Sequence, residues 1–240
     1  MAQIEAILFD KDGTLFDFAG TWRGVTVQII EALAPEQAAA SEMARLGGFD
    51  LESGHYFPGS LIAAGAADDL GELWSPFRPD LGAEGIAAEV ERMSLEAAAE
   101  PSLLAPAVPD LAALLRALSG RGLELGVATN DSVAGAERQL DAAGVRSAFR
   151  FIAGYDSVKR PKPAPDMVLA FSAARGIAPA AVAMVGDSTH DLEAARAAGV
   201  GLAVGVLTGP AGEQDLAPHA DHVLPTIGGL PALLDRLPAA

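Results

Sequence analysis

Gln3-Ile4-Glu5-Ala6-Ile7-Leu8-Phe9 runs straight into Asp10-Lys11-Asp12-Gly13-Thr14. A short apolar run that ends in a turn-rich acidic segment reads as a buried strand delivering a loop at its carboxyl end. No convincing strand follows between residues 17 and 103. There, alanine- and leucine-rich segments punctuated by Gly47-Gly48, Pro58-Gly59, Pro76 and Pro79 predict several short helices. From Pro106 the pattern alternates. Helices are expected from Pro109 to about Ser119, over 132–143 closed by Gly144, over 165–175 closed by Gly176 and over 191–198 closed by Gly199. Strands are expected over 123–128, 149–153, 182–185 and 202–206, with a last short one at 222–224. This rhythm implies an α/β fold, a Rossmann-like parallel sheet with helices on both faces. The first strand must then pair with strands more than a hundred residues later. The expected division is a core of residues 1–16 and 104–240 and an inserted all-helical domain of residues 17–103. The insertion falls near the carboxyl edge of the sheet, where open α/β sheets bind ligands.

Composition narrows the possibilities. The chain has 240 residues, half of them hydrophobic, enough to bury a real core. Its net charge is −16, which argues against nucleic acid or an anionic membrane as a partner. It has no cysteine, so disulfides, thiolate zinc sites and cysteine catalysis are excluded. The longest stretch free of charged residues, 197–212, is interrupted by glycines and a proline and is shorter than the roughly 18 apolar residues of a membrane span. The start, with Glu5, Asp10, Lys11 and Asp12, does not read as a secretory signal. A soluble cytoplasmic protein is expected.

Four segments carry candidate chemistry. Asp10 and Asp12 stand two apart at a strand end, so extended backbone places them on one face. Paired carboxylates repel, and a cation or a proton between them relieves the repulsion. Gly13 permits the sharp turn that follows. Asp187 and Asp191, in Gly186-Asp187-Ser188-Thr189-His190-Asp191, follow another strand, and together the two acid clusters form a plausible oxygen site for Mg²⁺. Thr129-Asn130-Asp131 supplies a hydroxyl, a side-chain amide and helix-start backbone donors suited to an anion. Lys162 lies in Lys159-Arg160-Pro161-Lys162-Pro163-Ala164-Pro165, a loop stiffened by proline that holds two of the chain's three lysines. Each segment alone also reads as a capping turn or a solvated loop. Jointly they supply carboxylates, donors and a fixed ammonium at one sheet edge, a set suited to a phosphate dianion bound with a metal. His219 and His222 have no other ligand type nearby and read as surface residues.

On these segments the chain resembles the haloacid dehalogenase superfamily, in particular its phosphoglycolate phosphatase-like branch. Asp10-Lys11-Asp12-Gly13-Thr14-Leu15 resembles the first signature motif, Thr129-Asn130 the second, Lys162-Pro163-Ala164-Pro165 the third and Gly186-Asp187-Ser188-Thr189-His190-Asp191 the fourth. All four stand in family order. The resemblance implies a Mg²⁺-dependent phosphomonoesterase of a small phosphorylated metabolite. Asp10 would be the nucleophile that forms an aspartyl-phosphate, and Asp12 the general acid and base. Asp10, the Asp12 carbonyl and Asp187 would hold Mg²⁺. Asp191 would stand behind them, fixing Lys162 or a water. Thr129, Asn130 and Lys162 would bind phosphate. Lys11, usually aliphatic in the family, is expected to face away from the site. The insertion matches the family's helical cap, with hinges near residues 18–20 and 104–109. Arg23, Arg45, Trp22, His55 and Tyr56 are its candidates for meeting substrate.

Within the superfamily, dehalogenases lack the second aspartate of the first motif, so Asp12 argues against that chemistry. Phosphonoacetaldehyde hydrolases need a cap lysine, and residues 17–103 contain none. A sugar-phosphate mutase shares all four motifs and remains open, as does a non-catalytic protein that binds a phosphorylated ligand.

Overall fold

The computed structural model describes residues 3–57 and 59–237. Strand β1 (Ala6–Phe9) is buried at all four positions, as its unbroken apolar sequence requires. It lies inside a wholly parallel six-stranded sheet. On one side β1 pairs with β4 (Glu124–Ala128), which pairs with β5 (Phe151–Ala153). On the other side it pairs with β6 (Val182–Gly186), followed by β7 (Leu202–Val206) and β8 (His222–Leu224). The expected strand over 149–153 is shorter at its start, because Arg146–Ala148 forms a 3₁₀ turn.

Side chains along the strands alternate between two packed layers. Ile7 and Phe9 face a layer completed by helix α6 (Leu111–Ser119), α7 (Val133–Ala142) and α11 (Leu230–Leu234) through Leu111, Leu115, Leu140 and Leu233. Ala6 and Leu8 face a second layer completed by α8 (Asp166–Arg175), α9 (Thr189–Ala198) and the short α10 (Glu213–Leu216) through Met167, Phe171, Leu192 and Leu216. β1, like its neighbours β4 and β6, thus feeds both layers, and it lies at the centre of the sheet with a strand paired on each side.

The chain between β1 and α6 folds around an apolar core of its own. It comprises α1 (Phe18–Leu33), α2 (Gln37–Leu46), a minimal hairpin of β2 (Phe49–Asp50) and β3 (His55–Tyr56), then α3 (Leu61–Ala64), α4 (Ala67–Trp74) and α5 (Gly82–Ala98). Ile30, Met43, Phe49, Trp74 and Ile86 are fully or almost fully buried there. The Trp74 indole N–H donates to the Met43 carbonyl at 2.9 Å, so burying this large ring leaves no orphan donor. Two expectations change here. α1 and α5, at 16 and 17 residues, are longer than the short helices read from the sequence, because tertiary burial of their apolar faces outweighs the propensity cost of Gly24 and Gly85. The insertion is also not all helical, since the β2–β3 hairpin interrupts it.

The two connections between this helical block and the sheet run side by side. The Asp17 N–H donates to the Ala105 carbonyl at 2.7 Å and the Ala107 N–H to Leu15 at 3.0 Å. The Thr21 hydroxyl accepts from the Ala105 N–H, and the Asp17 carboxylate caps α1 through the Gly20 N–H. The block consequently sits over the carboxyl edge of β1, β4 and β6. Among the described residues no helix is long and apolar enough to cross a membrane.

The central position of β1 generates a stability test. Leu8→Ala should cost about 2–5 kcal/mol by urea denaturation, from lost transfer energy plus a cavity, whereas Leu169→Ala, half exposed on α8, should cost about 0.5 kcal/mol or less. Comparable losses in the two variants would contradict the placement of β1 between both layers.

Candidate active site

Asp10 leaves the end of β1 with its N–H bonded to the Val185 carbonyl, which aims its side chain over the sheet edge. Asp187 leaves the neighbouring β6, and Asp191 lies in the first turn of α9. There Asp191 and Ser188 cap each other reciprocally, the Ser188 N–H and hydroxyl both donating to the Asp191 carboxylate at 3.1 and 2.6 Å. One carboxylate oxygen from each of Asp10, Asp187 and Asp191 lies within 4.8 Å of the others, and all three side chains are buried. Two strands and one helix start, far apart in sequence, converge to place them.

Lys162 supplies the compensating charge. Its buried ammonium donates to Asp10 at 2.6 Å, to Asp191 at 2.6 Å and to the Ala128 carbonyl at the end of β4 at 2.8 Å. All three of its donors are used. The Asn130 side chain grips the Lys162 backbone from both sides, its amide donating to the Lys162 carbonyl and its oxygen accepting from the Lys162 N–H. Asn130 therefore positions the lysine, an action that its side-chain chemistry permitted but the sequence did not single out. Thr129 is buried at the end of β4, with its hydroxyl accepting from the Asp131 N–H.

Three buried acids share one buried cation, and the electrostatics follow. Burial, the largest influence, together with the charges of Asp191 and Asp12, pushes Asp10 up to about 6 even though Lys162 pulls the other way. Burial and the charges of Asp10 and Asp191 likewise hold Asp187 well above the usual carboxylate range. Burial opposes the charge on Lys162, but Asp10 and Asp191 outweigh it and keep the ammonium protonated. The backbone is fitted closely around Asp187. Gly13 adopts φ +84°, and a Cβ at either Gly13 or Gly209 would collide with the Asp187 carboxylate. The Thr14 hydroxyl donates to the same carboxylate at 3.3 Å. Gly209, in the loop after β7, carried no signal in the sequence beyond a Gly-Pro turn.

Asp12 lines the same cleft. One of its oxygens accepts from the Trp22 indole N–H at 2.6 Å and from the Gln139 side-chain amide at 3.0 Å. The other pairs with the Lys11 ammonium. Lys11 corrects an expectation: it does not face away. It is fully buried, meets Asp12, sits 3.1 Å from Asp131, donates to Gln139 and lies 5.5 Å from the centre of the Trp22 ring. Asp12 and Asp131 attract the lysine into the interior strongly enough to overcome burial, and its amine is held above its ordinary range. The aliphatic preference of that position misses this, because Asp131 comes from the loop before α7, Gln139 from α7 and Trp22 from α1. Of the other candidates, Trp22 reaches the cleft. Tyr56 is buried against Thr26, and His55, Arg23 and Arg45 are exposed. His222 is exposed and His219 half-buried, away from the acid cluster.

A profile of haloacid dehalogenase-like hydrolases matches residues 4–199. A phosphoglycolate phosphatase of Rhodospirillum rubrum is 31% identical over 203 residues, covering 83% of this chain and 78% of that protein. The chain belongs to the haloacid dehalogenase-like hydrolase family. A probable phosphatase, IndB, of Dickeya dadantii is 44% identical over 109 residues, which is 45% of this chain and 46% of that protein. The chain spans about half the length of several curated relatives that it matches. The crystal structure of a predicted phosphoglycolate phosphatase from Haemophilus somnus superposes with a TM-score of 0.74 at 20% identity, over 97% of this chain and 99% of that one. A β-phosphoglucomutase from Clostridium difficile superposes at 0.67 and 18% identity, over 95% and 93%. At such identities these structures establish the shared fold alone.

The raised carboxylates set a pH dependence. Between 3.8 and about 6 the folded chain binds more protons at Asp10 than the unfolded chain does, so this site's contribution to stability falls as pH rises through that window. In EDTA, Asp187→Asn should therefore melt several degrees above wild type near pH 7.5, at about 2–4 °C per kcal/mol for a chain this long. The advantage should shrink near pH 4.5. Calorimetric scans at the two pH values check it, and a lower melting temperature for the variant at the higher pH would contradict the reading of crowded buried acids.

Proposed function

We propose that the chain is a Mg²⁺-dependent phosphomonoesterase of a small phosphorylated metabolite in the cytoplasm, working through an aspartyl-phosphate. The observation that carries this reading is the buried Asp10–Lys162–Asp191 network with Asp187 beside it. Its carboxylates outnumber the one ammonium among them, and the donor set is all hard oxygen, so the residues fit a small divalent cation. Asp10, Asp187 and the Asp12 carbonyl would hold it, and when bound it would neutralise charge on phosphate and on the acids. The relatives named phosphoglycolate phosphatase and probable phosphatase support the reaction class, and phosphoglycolate is a natural first compound to assay.

In the proposed cycle, an Asp10 oxygen attacks phosphorus as the bond to the leaving alcohol breaks. Lys162 keeps Asp10 ionised and offsets phosphate charge. The Thr129 hydroxyl and the backbone at Asn130 bind phosphate oxygens, while the Asn130 side chain holds Lys162 on aim. Asp12 exchanges one of its present donors for the leaving oxygen, gives it a proton, then takes a proton from the water that attacks phosphorus and frees Asp10. Residues 1–16 and 104–240 act as the catalytic core, and residues 17–103 act as a cap that excludes bulk water.

Hydrolysis of p-nitrophenyl phosphate should require added Mg²⁺ and stop with EDTA. Asp10→Asn should lower kcat by about 10³-fold or more while leaving the circular dichroism spectrum unchanged. Turnover that survives in that variant would contradict attack by Asp10. Conversion of a hexose 1-phosphate to its 6-phosphate without release of inorganic phosphate would assign the mutase reaction instead, and tight phosphate binding without turnover under any divalent metal would assign the non-catalytic reading.

A further inference from the structure

Building on the phosphatase reading, we infer that the alcohol portion of the substrate is apolar, about the size of a single ring and free of negative charge. The cleft above Asp10 holds a cavity of about 160 Å³. Its floor is polar, with Asp10, Thr129 and Lys162. Its far wall, contributed by the helical block, is built from Phe18, Ile29, Ile62, Leu70, Trp74 and Val90. A cavity of this size lined by apolar side chains takes up a benzene-sized group. A wider lobe of about 510 Å³ adjoins it and shares Asn130, Tyr155, Lys162 and His190.

Charge is distributed one way across this space. Among the described residues that line either lobe, Lys162 is the one lysine or arginine, and its three donors are already committed to Asp10, Asp191 and Ala128. The acids that face the space beyond the phosphate floor are Glu91, Asp131, Asp69 and Asp215. The arginines of the block are turned elsewhere. Arg45 pairs with Glu42, Arg78 with Asp80, and Arg92 with Glu89 and Glu96. Arg23 is exposed and lies over Gly54. Burial and the neighbouring Asp131, Asp156 and Asp68 already push the Glu91 carboxyl up, against a bond from Ser132.

A carboxylate on the leaving alcohol would enter a partly dry pocket with no uncommitted lysine or arginine to meet it and with Glu91 and Asp131 to repel it. An unpaired charge in such surroundings is strongly disfavoured. A hydrocarbon ring would instead pack against the apolar wall at Ile62, Leu70 and Val90 and bring no charge that needs a partner. The wall therefore selects against a glycolate-type alcohol, although several relatives carry the name phosphoglycolate phosphatase.

The experiment compares three esters with the intact Mg²⁺-loaded chain: benzyl phosphate, 4-carboxybenzyl phosphate and 2-phosphoglycolate. Benzyl phosphate should have the highest kcat/KM, above each of the others by about tenfold or more, the scale at which one pocket contact discriminates. In Glu91→Gln the ratio of benzyl to 4-carboxybenzyl phosphate should narrow several-fold. Equal or better turnover of either carboxylate ester would overturn the inference while leaving the phosphatase reading intact. If no ester is hydrolysed, the phosphatase reading fails, and calorimetric binding of benzylphosphonate against phosphonoacetate decides the inference separately. Tighter binding of the benzyl compound by a similar factor upholds it, and equal or reversed affinities overturn it.

Discussion

The ammonium of Lys162 is the constraint on which the site is organised. Three buried carboxylates at the edge of one sheet repel one another, and such a cluster persists only if positive charge is held among them. Lys162 meets this need by joining Asp10 at the end of β1, Asp191 at the start of α9 and the Ala128 carbonyl at the end of β4. A single cation therefore ties together three separate pieces of the sheet edge. The Asn130 grip on its backbone removes the freedom that a long side chain would otherwise keep. The same arrangement leaves the acids short of positive charge, which is the condition under which a divalent ion binds with most effect.

The fold was legible because its signals are local. The unbroken apolar run of β1, the strand–helix rhythm after Pro106 and the closing glycines of α8 and α9 report on burial and backbone angles that the sequence states directly. The convergence of Asp10, Asp187, Asp191 and Lys162 was legible for a related reason. Each stands at a strand end, in the loop beyond one or in the first turn of the helix that follows, and parallel topology carries all such ends to one edge. The lengths of α1 and α5 were less legible, because their stability comes from the core around Met43 and Trp74, which propensity does not contain.

What stayed hidden depends on contacts between distant helices. Lys11 follows a strand and, by alternation, should point away from Asp10. Instead it meets Asp12, Asp131 and Gln139 in the interior, beneath the Trp22 ring. No spacing rule links Gln139 on α7 with Trp22 on α1. Gly209 is a similar case. Its role is set by the nearness of Asp187, which follows a different strand, and becomes visible only once β6 and β7 are side by side.

The paired connections at Asp17 and Ala105 have a consequence for how such a chain can change over time. Because the helical block leaves and re-enters at adjacent points joined by backbone hydrogen bonds, its interior can diverge without altering the register of the strands beneath it. The apolar wall belongs to the block, whereas the carboxylates and the lysine belong to the sheet. On the proposed reading, chemistry and selectivity would occupy separately mutable parts of one polypeptide, so drift in wall residues such as Ile62, Leu70 or Val90 would alter selectivity while the reactive groups stay in register.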